Sequence, residues 1–143
     1  MDDLLSEFRR SEPCPLVALD AAEKALGIDL PADYRAFLGI SDGGEGFIGK
    51  GYLILWRAAE LQPFNRDYEV PTYAAGLVAF GSDGGGEMFA FDYRFQPPPV
   101  VMVSFIGMSH DDALVVADSF NSLLARMKRA AGSLFEPAPT SKD

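Results

Sequence analysis

Few residues in this sequence could begin a reaction. The chain has one histidine and one cysteine. His110 precedes Asp111 and Asp112. Such a histidine–carboxylate pair can move protons, because imidazole titrates near neutral pH. No motif fixes a nucleophile beside it. Ser109 is merely adjacent, and neighbours in an extended segment point apart. Residues 109–112 therefore read as a solvated loop. Cys14 lies between Pro13 and Pro15 with no base nearby in sequence, and reads as an inert thiol. One cysteine excludes a disulfide framework and a multi-cysteine zinc site. No catalytic residue, metal ligand or cofactor is expected.

The glycine-rich stretches suggest ligands only until their context is considered. Gly44-Glu45-Gly46-Phe47-Ile48-Gly49 matches the dinucleotide pattern GxGxxG, and its extension through Lys50 matches most of a phosphate-binding loop. Both chemistries need a strand, then the loop, then a helix whose N-terminus meets the phosphate. The predicted order here is helix, loop, strand. Gly51 also stands where a Ser or Thr would hold magnesium. The stretch reads as a flexible glycine loop. Asp83-Gly84-Gly85-Gly86-Glu87 offers two carboxylates, too few for a calcium loop of about twelve residues. It reads as a hairpin turn in which glycine allows positive φ.

The remaining candidates concern binding. Asp42, Glu45, Asp83, Glu87 and Asp92 are taken as an acidic partner-binding surface, with Trp56 as an aromatic anchor. The competing reading of Trp56 is core packing at a strand end. Twelve Lys and Arg face 21 Asp and Glu, a net charge of −9. That balance lacks the basic footprint of a nucleic-acid binder. It suits a basic protein partner and fast, salt-sensitive association, although acidity also serves solubility alone. The charge is uneven: residues 67–125 hold eight acids and one base, Arg94. Apolar runs of five or six residues predict no membrane span. The acidic start, Met1-Asp2-Asp3, is unlike a signal peptide, so a cytoplasmic location is expected.

Positioning these residues requires a folded core. A chain of 143 residues, 48% apolar and 23% charged, has the size and composition of one globular domain. The boundaries expected are 1–132 for the domain and 133–143 for a flexible tail. Leu4, Leu5 and Phe8 predict a short helix over Asp2 to Arg10. Leu16, Leu19, Ala22 and Leu26 predict a helix closed by Gly27. Pro31 opens the next helix, striped by Tyr34, Phe37 and Leu38. Strands are predicted at Tyr52–Trp56, Leu77–Phe80, Glu87–Asp92 and Val100–Phe105, with a short one at 113–117. Arg57 to Asn65 reads as a short helix or turn, and Asn65 to Thr72 as loop. A final helix follows Asp118, from Ser119 to about Ala130. The expected class is α+β: a central, largely antiparallel sheet of four to six strands, flanked by N-terminal helices and a C-terminal helix.

Four stretches also carry a resemblance. They are Glu23 to Leu38 with its Leu30-Pro31-Ala32-Asp33-Tyr34-Arg35-Ala36-Phe37-Leu38 core, the Ser41-Asp42-Gly43-Gly44 turn, Gly81 to Glu87, and Ala117-Asp118-Ser119-Phe120. In this order and spacing they resemble the SUKH superfamily, the Smi/Knr-type domain, over about residues 17–130. The second turn departs slightly, with Asp42 where the family more often has Asn. The resemblance implies an α+β domain without shared catalysis. Bacterial members are mostly thought to be immunity proteins that bind and neutralise toxins, often nucleases. Fungal members act as regulators or scaffolds in cell-wall assembly and signalling. The expectation is a non-catalytic immunity protein that inhibits a cognate toxin stoichiometrically. The alternative is a regulatory or scaffold module with a housekeeping partner. An enzyme using His110 is the third class.

Overall fold

A computed structural model describes residues 7–129. Its elements, in chain order, are β1 (Phe8–Arg10), α1 (Leu16–Leu26), α2 (Ala32–Leu38), β2 (Gly44–Ile48), β3 (Gly51–Leu55), α3 (Ala58–Asp67), α4 (Val70–Tyr73), β4 (Leu77–Ser82), β5 (Glu87–Asp92), β6 (Val100–Ser104), β7 (Leu114–Ala117) and α5 (Phe120–Arg129). The strands form one sheet in the order β1-β2-β3-β4-β5-β6-β7. Every neighbouring pair is antiparallel. The class is α+β, with seven strands among the described residues rather than four to six.

The two extra strands lie where the sequence predicted something else. Phe8–Arg10 was expected to be helical and instead pairs with Gly44–Gly46. Residues 2–6 of that expected helix lie outside the described residues, as does the tail expected at 133–143. The Gly44–Gly49 stretch was expected to be a flexible loop and is mostly β2. Its glycines serve close packing. Gly44 has φ +127, and a Cβ there would sit 2.6 Å from the Arg9 carbonyl oxygen. Glycine therefore lets β1 lie down on β2. The loop expected at 65–72 is also corrected: α3 runs to Asp67, and α4 follows.

Local chemistry sets the helices. α1 ends at Gly27 with φ 73, and the N–H groups of Gly27 and Ile28 both donate to the Glu23 carbonyl oxygen. This is the left-handed cap expected of a glycine. Glu23 then clasps α2: its carboxylate accepts from the Leu30 N–H at 2.8 Å and from Arg35 at 2.7 Å. Asp20 accepts from the same guanidinium at 2.9 Å.

Tyr34 and Phe37 of α2 meet the sheet and α5 in an aromatic cluster. The Tyr34 ring lies 5.2 Å from Phe91 and 5.1 Å from Phe120. Phe80, bulged out of register between Ala79 and Gly81, stacks on Phe91 at 4.4 Å. All four of these last-named rings are fully buried. Burying such rings contributes about 1.5–3 kcal/mol each by area. Among the described residues, the Tyr34 hydroxyl has no hydrogen-bond partner. Burial is the main cause pushing its pKa up.

β3 and β4 share only two register pairs, Ile54 with Ser82 and Leu55 with Gly81. Beyond them the edge of β4 would lose its partners, and α3 fills the gap. The buried Asn65 amide donates to the Ala79 carbonyl at 2.9 Å and accepts from the Ala79 N–H at 2.8 Å. It thus satisfies both backbone groups that a strand would otherwise pair.

Candidate functional site

Alternation along the strands puts Arg9, Glu45, Ile54 and Ser82 in one row across β1 to β4. The complementary row, Phe8, Gly46 and Leu53, faces the helices, with Phe8 edge-on to Phe37 at 6.2 Å. Arg9, Glu45 and Ile54 of that row form one wall of an open groove of about 590 Å³. The start of α3 forms the other wall, with Arg57, Glu60 and Phe64. Trp56 leaves β3 between the walls and packs edge-on against Phe64 at 5.0 Å.

The groove carries Arg9, Arg10 and Arg57 against Glu45 and Glu60. An acidic chain thus presents, at this place, a slight excess of arginine. Arg9 and Glu45 approach to 3.4 Å, with side chains 70% and 46% exposed. The Tyr52 hydroxyl lies between them, donating to Glu45 and accepting from Arg9 at 3.2 Å. An ion pair this exposed contributes about 0–1 kcal/mol. It can therefore exchange its partners for those of a docked surface at small cost. Phe47, 47% exposed, extends the apolar part of this face against Tyr52 at 5.0 Å.

The six residues named from the sequence separate. Glu45 lines the groove; Trp56 lies at its floor but is only 6% exposed and part of the core, as the competing reading had it. Asp42 is next to it, in a smaller recess that also includes Arg57. Its carboxylate is engaged by the first N–H of α3, from Ala58 at 2.8 Å. The Asp83 turn reaches the same sheet face, since a Cβ at Gly84 would sit 3.3 Å from Tyr52. Asp83 itself accepts from the Gly85 N–H at 2.8 Å and the Glu87 N–H at 3.3 Å, closing the hairpin. Glu87 shares the opposite strand face with Phe89 and Phe91 and accepts from Ser104 at 3.0 Å. Asp92 is at the far end of β5, 2% exposed. It accepts from Arg94 Nε at 2.9 Å and Nη2 at 2.8 Å. Those bonds hold its pKa below the usual carboxylate range, against the opposing effect of burial. The expected acidic surface is thus not one cluster: most of its carboxylates are bound to the protein's own donors.

The acid–base candidates are likewise engaged elsewhere. His110 Nε2 lies 2.7 Å from the Ala75 carbonyl oxygen. Asp112 accepts from the Ser104 N–H at 2.7 Å. Cys14 is buried, and desolvation first, then the Asp42 charge, pushes its thiol pKa up. A raised thiol is a poor nucleophile. Among the described residues, no group of three or more His, Cys, Asp or Glu is gathered to hold a metal ion. No helix there is long and apolar enough to cross a membrane.

Tyr52 was legible in the sequence as a candidate interface aromatic, with Trp56, Tyr93 and Phe95; Arg9, Arg10 and Arg57 were not. The overall acidity draws attention to carboxylates, and Arg9 falls in the stretch expected to be helical. The usable signal was Phe8 followed directly by Arg9-Arg10, one buried side chain beside two exposed charges, which suits an edge strand. A family model described as the SMI1 / KNR4 family (SUKH-1) matches residues 13–126. No curated protein matches the chain. The matched stretch includes both walls' Glu45, Trp56 and Arg57, whereas β1 with Arg9 and Arg10 precedes it.

Proposed function

We propose, from the premise that this chain belongs to the SMI1 / KNR4 family (SUKH-1), that it is a non-catalytic protein-binding domain. Its specific role in this reading is that of an immunity protein, which neutralises a cognate toxin by stoichiometric binding. One observation carries the reading. Arginine, glutamate and aromatic side chains share an open groove, while His110, Asp112 and Cys14 are held in contacts away from any common centre. Arginine and tryptophan are the residues that most often dominate protein–protein affinity. The charge of −9 supports a basic partner, and a nuclease-type toxin fits that description.

Arg9, Glu45 and Arg57 are the proposed contact residues, with the nearly buried Trp56 as the floor beneath them. The Asp83 turn flanks them. The acidic exterior attracts the partner at long range, and the groove orders the contact at short range. A scaffold role with a housekeeping partner would use the same surface, so partner identity separates the two. The test is an affinity pulldown of the tagged chain from its native cells, at low and high salt, with the wild-type chain beside Trp56→Ala and Arg9→Glu variants. A stoichiometric toxin domain, weakened by salt and lost with the variants, is the expected result. A resident envelope or signalling protein captured through the same residues would move the assignment to the scaffold role. Capture unaffected by both variants would refute the groove.

A further inference from the structure

A second recess lies away from the groove, between the N-terminal ends of α2 and α5. Its volume is about 530 Å³. Phe91, Phe120 and Leu30 form an apolar floor, all at 6% exposure or less. The Tyr93 ring forms one side. It is held in place because its hydroxyl donates to the Asp29 carbonyl oxygen at 2.8 Å. The Pro97–Pro98 turn closes another side. Three aspartates line it, Asp29, Asp33 and Asp118, and among the described residues no Lys or Arg does.

The sign of the ligand follows from how the helix ends are satisfied. Free N–H groups at two helix starts would favour an anion. Here three of them already have side-chain acceptors. Asp33 Oδ1 accepts from the Tyr34 N–H at 2.8 Å, and its Oδ2 accepts from the Asn121 N–H at 2.9 Å. Ser119 accepts from the Ser122 N–H at 3.1 Å. Asp29 and Asp118 are exposed, and the Asp29 charge also acts on Arg35. What remains is an apolar slot with an aromatic side and an acidic mouth.

We propose that this recess is an anchor pocket for an arginine side chain of a protein partner. A guanidinium can lie flat on an aromatic ring, take a carboxylate with two parallel hydrogen bonds and bury its methylene stem on apolar surface. Tyr93, the rim aspartates and the Leu30 floor supply those three surfaces. Lysine, a compact and strongly hydrated point charge, uses only the carboxylates well. The protein nature of the occupant rests on the proposed function. The preference for a guanidinium does not.

The test uses the full chain, labelled with 15N, and blocked tripeptides Gly-X-Gly with X as arginine, lysine or citrulline. Arginine peptide should give saturable shifts centred on the amides of Asp29, Tyr93 and Ser119. The Asp29→Asn/Asp118→Asn variant should weaken that binding about tenfold or more, since both carboxylates leave with the same fold. Both positions are exposed, and an unchanged spectrum elsewhere would show that the variant folds. Lysine and citrulline peptides should bind several-fold more weakly. Equal binding of lysine, or shifts scattered over the acidic surface and insensitive to the variant, would overturn the pocket. Either failure would leave a toxin captured through the groove standing, so the two proposals fail separately.

Discussion

Asn65 provides the sharpest test of how the sheet is held open beside α3. It is 4% exposed. Replacing it with alanine removes three hydrogen bonds, to Leu61 at 2.8 Å and to the two Ala79 groups at 2.9 and 2.8 Å. The Leu61 carbonyl keeps its helical partner. The Ala79 N–H and C=O do not, because β3 has already diverged from β4 at that level. Two orphaned backbone groups at about 1–3 kcal/mol each give a loss of about 2–6 kcal/mol. That is a large share of the ~5–15 kcal/mol that holds a typical domain folded. Asn65→Asp adds a pH signature. Burial and the two facing carbonyls would raise the folded pKa of the new carboxyl above its unfolded value of about 3.9. The variant should then match wild type most closely below about pH 4, and its deficit should grow as pH rises through the folded pKa. The assay is urea unfolding followed by Trp56, the one tryptophan of the chain, which packs on Phe64 of the same helix. An exposed α3 change, Arg66→Ala, is the control. A loss under about 1 kcal/mol for Asn65→Ala would refute the reasoning, since water would then replace the amide without penalty.

Other residues give shorter tests. Tyr34→Phe should leave stability unchanged or raise it by up to about 1 kcal/mol in the same urea assay, because the lost hydroxyl has no partner among the described residues. A clear drop would mean that the hydroxyl is bonded after all. Asp42→Ala should lower stability by about 1 kcal/mol by uncapping the Ala58 N–H. In a binding assay it should leave partner affinity within about twofold, unlike Trp56→Ala. Asp92 has a folded pKa below its unfolded value, chiefly because Arg94 donates to it. Its stabilisation is therefore present above about pH 4 and lost as pH falls. Asp92→Asn should cost about 1–2 kcal/mol at neutral pH and flatten the acid limb of stability measured against pH.

The elements that the sequence determined are those whose information is local. Leu16, Leu19, Ala22 and Leu26 recur at helical spacing, and Gly27 terminates that helix by an αL conformation that other residues resist. Pro31 starts α2 because its ring and missing N–H suit a first turn. Glu87 to Asp92 and the Asp83 turn were legible for the same reason. The turn's aspartate satisfies N–H groups two and four residues on. The family likeness lay in these same stretches, and Glu23, Arg35 and Asp42 now have structural partners there.

Tertiary structure alone decided the rest. Three residues, Phe8 to Arg10, carry too little pattern to declare a strand, and they become one only by pairing with Gly44 to Gly46. Glycine in β2 reads locally as freedom, yet packing makes it the condition for close approach. Glu45 stands 36 residues from Arg9 along the chain and is its direct cross-strand partner, so the groove's charge exists only after the register is set. Net charge reveals how acidic the whole chain is. It does not reveal which carboxylates the fold consumes: Asp92 goes to Arg94 and Asp33 to two helix ends, while Asp29 and Asp118 are left facing solvent. Such assignments depend on distances of a few ångströms between segments far apart in sequence, and those distances are products of packing.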